Sequence, residues 1–181
     1  MDRVNILIIG GGVVGCAAAA ELAARWDNVF LVEQLPRLGM ATSTRNSGVL
    51  HSGLYYAPGS LKARHCVAGN RLSYEFCSAH KVPHRRTGKL VVATAAGEEL
   101  RLSLLAENGR ANGVEGLRLV DRAAMRRREP HLAGHAALEV PSAGIVSSED
   151  LVKAWARVAQ DRGASLLTHA RVVRLDPQRD A

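Results

Sequence analysis

The chain has 181 residues, enough for one medium domain or two small interleaved ones. Its 47% apolar and 23% charged residues are typical of a soluble globular protein, and they exclude a collagen-like, disordered or disulfide-dense chain. The net charge is +7, but the basic residues are scattered and lack interleaved aromatic residues, so we expect no nucleic-acid partner. The charge fits either a solvated basic surface or a positive field that attracts an acidic substrate.

The cysteines and the apolar start of the chain bear on its compartment. The chain has an odd number of cysteines, namely Cys16, Cys66 and Cys77, and no two of them form a C-x-x-C pair. We therefore expect reduced thiols. Glycines at 10–12 interrupt the apolar run from Val4 to Ala24, which disfavours a signal peptide and a membrane span. The sequence therefore predicts a cytoplasmic protein whose contact with membranes is at most peripheral.

The first 33 residues have the pattern of a βαβ unit. Val4 to Ile9 is a continuous apolar run, which predicts a strand buried on both faces. A glycine turn follows, then an Ala-rich helix from about Val13 to Arg25. A second buried strand is predicted from Val29 to Val32, and Glu33 follows it. This order predicts the start of a parallel α/β sheet.

The chain then changes character. Small and polar residues dominate from Gln34 to Pro58 without a clear period, and a loop of this length is usually functional. Later patterns predict five helices or strands: a helix capped by Ser60 and running to about Lys81, a strand from Gly88 to Ala95, a helix from Gly97 to Asn112, a strand from Leu117 to Val120, and a short helix capped by Asp121.

The last third is predicted to contain a strand from Ala136 to Val140 and a helix from Ser147 to Asp161. Ser147 and Asp150 stand at capping-box spacing. A strand is predicted from Ser165 to Leu175, with a bend near His169 and Ala170. The final residues, Asp176 to Ala181, have turn chemistry, and we expect the natural protein to continue beyond them. In the helix from Gly97 to Asn112, the residues predicted to point inward are Leu100, Leu104 and Leu105.

The glycine turn has the spacing Gly10-x-Gly12-x-x-Gly15 of a phosphate-binding loop. Gly10 permits the tight turn, Gly12 allows a pyrophosphate close to the backbone, and Gly15 allows helix and strand to pack closely. The helix N-terminus offers free N–H groups to phosphates. Glu33 suits a ribose diol and disfavours a 2′-phosphate, so the loop predicts FAD or NAD rather than NADP.

The segment Arg45-Asn46-Ser47-Gly48-Val49-Leu50-His51-Ser52-Gly53-Leu54-Tyr55-Tyr56 resembles the L-2-hydroxyglutarate dehydrogenase/oxidase family, which belongs to the D-amino-acid-oxidase-like group of FAD enzymes. The likeness continues through the segments at 60–63, 88–93, 112–114, 129–130 and 144–146, so it covers nearly the whole chain. Members of that family are longer, and the chain resembles their amino-terminal part only.

The resemblance implies an α/β fold. A Rossmann-like FAD-binding domain, whose parallel sheet begins with the βαβ unit, is interrupted by part of a mixed-sheet α+β substrate domain. Residues 1–80 and 142–181 are expected in the FAD-binding domain, which is incomplete, and residues 81–141 in the substrate domain. The implied cofactor is FAD. Its expected binding residues are Gly10, Gly12, Val14, Gly15, Glu33, Gln34, Thr42, Ser43, Arg45, Asn46, Ser47 and Gly48.

The implied reaction oxidises L-2-hydroxyglutarate to 2-oxoglutarate by hydride transfer to flavin. His51 is the candidate base, and its alternatives are a loop-holding role or contact with the flavin, including covalent attachment. Tyr55, Tyr56 and Lys89 are candidates for binding substrate carboxylates, although a tyrosine pair after a loop is as often part of a core. The electron acceptor is open among oxygen, a quinone and an electron-transfer protein.

Three rival functions remain at this point. One is another enzyme of the same group, acting on an amino acid or glycerol 3-phosphate. The second is a truncated, inert nucleotide-binding module, and the third is a dehydrogenase that uses NAD only. No metal site is expected. His80 with His84, and His131 with His135, have zinc-compatible spacing, but Pro83 and Gly134 disfavour the helices that such a site needs.

Overall fold

The computed structural model describes residues 4–176, which form two compact units. The first consists of the described parts of Met1–Ser47 and Ser147–Ala181, and the second is Gly48–Val146. These boundaries differ from those of the predicted domains, which divided the chain near residues 80 and 142. The difference arises because the helix before residue 80 bonds within the second unit, where Tyr74 donates to the Ser142 carbonyl at 3.2 Å. The FAD-binding and substrate-binding roles of the two parts stay a prediction.

The regular elements alternate along most of the chain. In order they are β1 (Ile6–Ile9), α1 (Val13–Ala23), β2 (Val29–Val32), a short 3-10 helix (Thr42–Thr44), β3 (Val49–Leu50), α2 (Leu61–Ala79), β4 (His84–Arg85), β5 (Lys89–Ala93), α3 (Glu99–Ala111), β6 (Arg118–Asp121), α4 (Arg122–Arg128), β7 (Ala136–Val140), β8 (Gly144–Val146), α5 (Ser148–Asp161) and β9 (Ser165–Leu167).

The first unit is built on a parallel sheet of order β1-β2-β9. Helices α1 and α5 pack against each other and bury the side chains of Val29 and Leu31 on β2. The buried residues of α1 are Cys16, Ala19 and Ala20, and such small side chains let the helix lie close to the sheet. The predicted α/β fold with an initial βαβ unit is therefore confirmed.

The prediction that β1 is buried on both faces is wrong. Ile6 and Ile8 pack against the helix-facing core, whereas Leu7 is 43% and Ile9 53% exposed. Side chains alternate along a strand, and α1 and α5 pack on the face of Ile6 and Ile8. The apolar side chains of β1 therefore lie on both faces of the sheet, of which one is buried and the other exposed.

The second unit contains two antiparallel sheets, of order β3-β8-β4 and β5-β7-β6. The second sheet and α3 enclose a core that includes Leu102, Ala106, Leu138 and Val140. The predicted inward positions on α3 are corrected here, because Leu100 and Leu104 are exposed. The buried face of α3 is instead Leu102, Ala106 and Gly109, with Leu105 packed beside it.

Local signals at helix ends were reliable. The side chains of Ser60, Asp121 and Ser147 each accept a backbone N–H at the start of the helix predicted to follow them.

The strand predicted from Ser165 to Leu175 is shorter, ending at Leu167, and His169 takes a positive φ of 57° where a bend was expected. Of the predicted terminal turn, residues 177–181 lie outside the described residues. In residues 4–176 no helix is long and apolar enough to cross a membrane.

Candidate functional site

The glycine turn after β1 is shaped by backbone contacts. Gly10 has φ +108°, a conformation that favours glycine, and its N–H donates to the Val32 carbonyl at 2.8 Å. A Cβ added at Gly15 would lie 1.9 Å from the Gly10 carbonyl oxygen. The first turn of α1 therefore lies directly on the end of β1, which is the role that the sequence predicts for Gly15.

The start of α1 is open toward a ligand. Gly12 precedes the helix in an extended conformation and provides no side-chain cap. A Cβ added at Gly12 would lie 3.0 Å from Ser43 Oγ. The Val13 N–H donates to that same oxygen at 3.0 Å. Val14, in the first turn, is 78% exposed. The glycine backbone, the N–H groups of the first helical turn and the helix dipole together fit a pyrophosphate.

Glu33 holds the turn through both of its carboxylate oxygens. Oε2 accepts the Gly11 N–H at 2.7 Å, and Oε1 accepts the Leu35 N–H at 2.9 Å. A carboxylate oxygen can accept more than one hydrogen bond, so a ribose diol remains a compatible partner. Gly11 was missed in the sequence. A Cβ there would lie 2.4 Å from Leu38 Cδ2 and 2.9 Å from Glu33 Cβ, so the middle glycine is what allows Glu33 to reach the turn.

A buried thiol lies under this turn. Cys16 Sγ donates to the Gly11 carbonyl at 3.6 Å. Burial raises the pKa of the Cys16 thiol to about 11, and the negative charge of Glu33 adds to the shift. Cys16 is therefore a protonated packing residue, as the sequence indicates, and not a nucleophile.

The loop after β2 brings the next predicted residues to the first unit. Asn46 Nδ2 donates to the carbonyls of Thr42 and Ser43 at 3.1 and 2.9 Å, and Arg45 Nε donates to the Met40 carbonyl at 3.0 Å. Gln34 and Ser47 are exposed. Of the predicted cofactor-binding residues, those from Gly10 to Ser47 thus lie in the first unit. Gly48 lies in the second, where a Cβ would meet the Val146 carbonyl oxygen at 2.3 Å.

His51 follows β3 in the second unit, and its backbone is held firmly. Its carbonyl accepts Asn70 Nδ2 at 3.0 Å and Cys66 Sγ at 3.6 Å, both from α2. Asn70 also donates to the Ser142 carbonyl at 3.0 Å. The His51 side chain is exposed. The fold therefore fixes the position of this residue while leaving its imidazole accessible.

Two asparagines, Asn108 in α3 and Asn112 at its C-terminal cap, hold the next residues of the same segment. Asn108 Nδ2 donates to the carbonyls of Leu54 and Tyr56 at 2.7 and 3.0 Å. Asn112 Nδ2 donates to the carbonyls of Gly53 and Tyr56 at 2.9 and 2.8 Å. The sequence missed Asn70, Asn108 and Asn112, because amides that bind distant backbone carbonyls have no local pattern.

The ring of each tyrosine in this segment is in contact with the ammonium group of a lysine. Lys89 Nζ lies 4.4 Å from the centre of the Tyr55 ring and 3.4 Å from its hydroxyl oxygen. Lys62 Nζ lies 4.7 Å from the centre of the Tyr56 ring. Of the three residues predicted to bind substrate carboxylates, Tyr55 and Lys89 are in contact, while Tyr56 contacts Lys62, a residue that the sequence did not single out. Their role in binding stays a prediction.

In residues 4–176 no group of three or more His, Cys, Asp or Glu side chains is arranged to hold a metal ion. The two histidines near the end of α2 have other contacts. The His80 ring lies 4.3 Å from that of Phe76, and His84 Nδ1 is 2.7 Å from the Val82 carbonyl oxygen.

Comparison with known proteins identifies the family of this chain. Residues 5–181 match the sequence profile of the DAO family, which is described as FAD dependent oxidoreductase. This match confirms the prediction of FAD as the cofactor and removes the NAD alternative. Among solved structures, an L-α-glycerophosphate oxidase from Mycoplasma pneumoniae with FAD bound has a TM-score of 0.86 and 30% identity, over 93% of this chain and 45% of that one. A glycine oxidase from Geobacillus kaustophilus has a TM-score of 0.83 and 25% identity, over 93% and 47%.

Curated relatives are mitochondrial L-2-hydroxyglutarate dehydrogenases. That of Arabidopsis thaliana is 42% identical over 83% of this chain and 31% of its own length, and that of Bos taurus 38% identical over 98% and 39%. The chain thus spans 31% to 39% of the length of these two relatives. Their names overturn the prediction of a cytoplasmic protein. That prediction failed because reduced thiols indicate a reducing compartment without distinguishing the cytosol from others.

Proposed function

Because the chain belongs to the DAO family of FAD-dependent oxidoreductases, we propose that its protein oxidises a small 2-hydroxy acid, L-2-hydroxyglutarate, to 2-oxoglutarate. The identity of about 40% to the L-2-hydroxyglutarate dehydrogenases is the observation that carries this proposal. Tyr55 and Tyr56, which follow His51 in the sequence, and the lysines that contact their rings support it, since they suit an acidic substrate.

FAD, when bound, supplies the hydride acceptor for the substrate Cα hydrogen. In this proposal the backbone from Gly10 to Gly15 receives the pyrophosphate at the start of α1, and Glu33 accepts hydrogen bonds from the ribose. Ser43 adds to this cradle, because its hydroxyl accepts the Val13 N–H and keeps its own proton to donate. Thr42, Arg45 and Asn46 order the loop that carries Ser43.

His51 takes the proton of the substrate hydroxyl in this mechanism. An imidazole is suited to this step near neutral pH, and the backbone bonds from Asn70 and Cys66 hold the residue in place. Removal of that proton develops the carbonyl of the 2-oxo product. Tyr55, Tyr56 and Lys89 bind the substrate carboxylates through hydroxyl and ammonium donors.

Anaerobic spectroscopy tests the proposal. L-2-hydroxyglutarate is added to the purified yellow protein, and loss of the visible flavin absorption is followed. We expect bleaching with this substrate and none with its D-enantiomer. Bleaching by glycerol 3-phosphate or glycine, but not by L-2-hydroxyglutarate, would assign the protein to another substrate of the same family.

A variant separates the role of His51 from cofactor binding. We expect His51→Gln to keep its FAD and to lose most of the bleaching rate, together with the limb of the pH profile that reflects the base. If His51→Gln reduces flavin at the original rate and with the original pH profile, another group is the base.

A further inference from the structure

We propose that Lys62 and Lys89, each held against a tyrosine ring, form a binding site for a small organic dicarboxylate in the second unit. This inference deepens the proposed function and rests on it for the identity of the physiological ligand. It adds Lys62 to the site and assigns the tyrosine rings to positioning the two cations.

The two lysines are held without being neutralised. A tyrosine ring attracts an ammonium through its negative face but carries no net charge. In residues 4–176 no carboxylate lies within ion-pair distance of Lys62 or Lys89, although several other cations of the chain have such partners. Each ammonium has three N–H donors, of which the Tyr55 hydroxyl takes one from Lys89. Donors therefore remain for an anion.

The rings that hold the two lysines belong to neighbouring residues, Tyr55 and Tyr56, so both ammonium groups lie at one short stretch of the chain. Lys62 and Cys66 stand one turn apart on α2, and Cys66 Sγ contacts the His51 carbonyl oxygen. Burial raises the pKa of the Cys66 thiol, while a bond at the Gly53 backbone and the charges of Lys89 and Lys62 act in the opposite direction. Cys66 is therefore a reporter of both charges.

The surrounding sequence strengthens this field. Between Gly48 and Gly97, all within the second unit, the chain has seven lysines and arginines and a single acidic residue, Glu75. Glu75 is paired with Arg71 at 2.6 Å and does not compensate the lysine pair. Two unneutralised ammonium groups favour a ligand with two negative charges over one with a single charge. A dicarboxylate of the size of the proposed substrate meets this requirement.

Alkylation of Cys66 tests the site independently of flavin chemistry. The purified protein is treated with iodoacetamide, and the peptide that contains Cys66 is quantified by mass spectrometry, with those of buried Cys16 and Cys77 as internal references. Glutarate is the probe, and acetate at equal ionic strength is the control. We expect glutarate to slow the alkylation of Cys66 saturably, by about tenfold for each unit by which it raises the thiol pKa.

Variants locate the effect. Lys62→Met and Lys89→Met should each remove the protection by glutarate, whereas Lys153→Met, at a lysine paired with Glu149, should retain it. Equal slowing by acetate and glutarate, or protection that survives both lysine substitutions, would overturn the proposal. Protection by glycerol 3-phosphate without protection by glutarate would overturn the dicarboxylate assignment. Protection by glutarate without flavin bleaching by L-2-hydroxyglutarate would leave this site standing and refute the proposed function instead.

Discussion

Replacing Gly15 by alanine tests the close contact between α1 and the end of β1. The added methyl would lie 1.9 Å from the Gly10 carbonyl oxygen, closer than the 3.0 Å below which Cβ contacts essentially never occur. The two must separate by about 1 Å or more, and the opposing atom is backbone rather than a flexible side chain. Such overpacking costs about 1–3 kcal/mol, which outweighs the gain of up to about 1 kcal/mol that alanine brings to a helix. The first unit should therefore lose stability and bind FAD less well.

Gly69→Ala in α2 is the matched control. Nothing lies within 4 Å of a Cβ at Gly69, so the same change in a helix should stabilise the second unit by about 0.5–1 kcal/mol and should not lower the unfolding midpoint of the first. The tryptophans of this chain, Trp26 and Trp155, both belong to the first unit, so their fluorescence during urea unfolding reports on the unit that contains Gly15. An unchanged unfolding midpoint in Gly15→Ala, or an equal decrease in Gly69→Ala, would refute the steric argument.

Three further changes test other contacts. Glu33→Gln leaves one of two backbone N–H groups without its acceptor and should cost the first unit about 1–3 kcal/mol, measured by tryptophan fluorescence; an unaltered midpoint would contradict this. Asn112→Ala removes two bonds to the segment with Tyr56 and should speed chymotrypsin cleavage there, whereas Ser103→Ala on the same helix should not. Because burial raises the pKa of Cys16 to about 11, the stability that its thiol contributes should be full below pH 9 and be lost toward pH 11. Cys16→Ala should make the decline over that range smaller but not remove it, because the pKa values of Cys66, Tyr74 and Cys77 are raised as well.

Sequence reasoning succeeded where the structure depends on neighbouring residues. The glycine spacing from Gly10 to Gly15 predicted the turn, and the hydroxyl or carboxylate side chains of Ser60, Asp121 and Ser147 predicted three helix starts. In each case the partner groups lie within a few positions of the signal, so the sequence contains the whole interaction.

It failed where distant residues decide the outcome. Leu100 and Leu104 are as apolar as Leu102, and only the position of the sheet under α3 selects Leu102 for burial. Likewise, the side chains of Asn108 and Asn112 find their partners only when the segment containing Tyr56 is brought beside them. The lysine and tyrosine pairs join residues from a turn, a helix and a strand, which no spacing in the sequence indicates.

The pairing of β3 with β8 has a consequence for how the chain folds. The parallel sheet of the first unit needs Phe30 opposite Ser165, and the whole second unit lies between them in the sequence. The cost of closing a flexible loop rises by about 0.6 kcal/mol for each doubling of its length. Val49 pairs with Ile145, and the Val146 N–H donates to the Gly48 carbonyl at 2.8 Å, so the second unit brings its own two ends together. Once it has formed, the search that joins β2 to β9 spans only the short segments outside it, so we expect the second unit to form before the parallel sheet is complete.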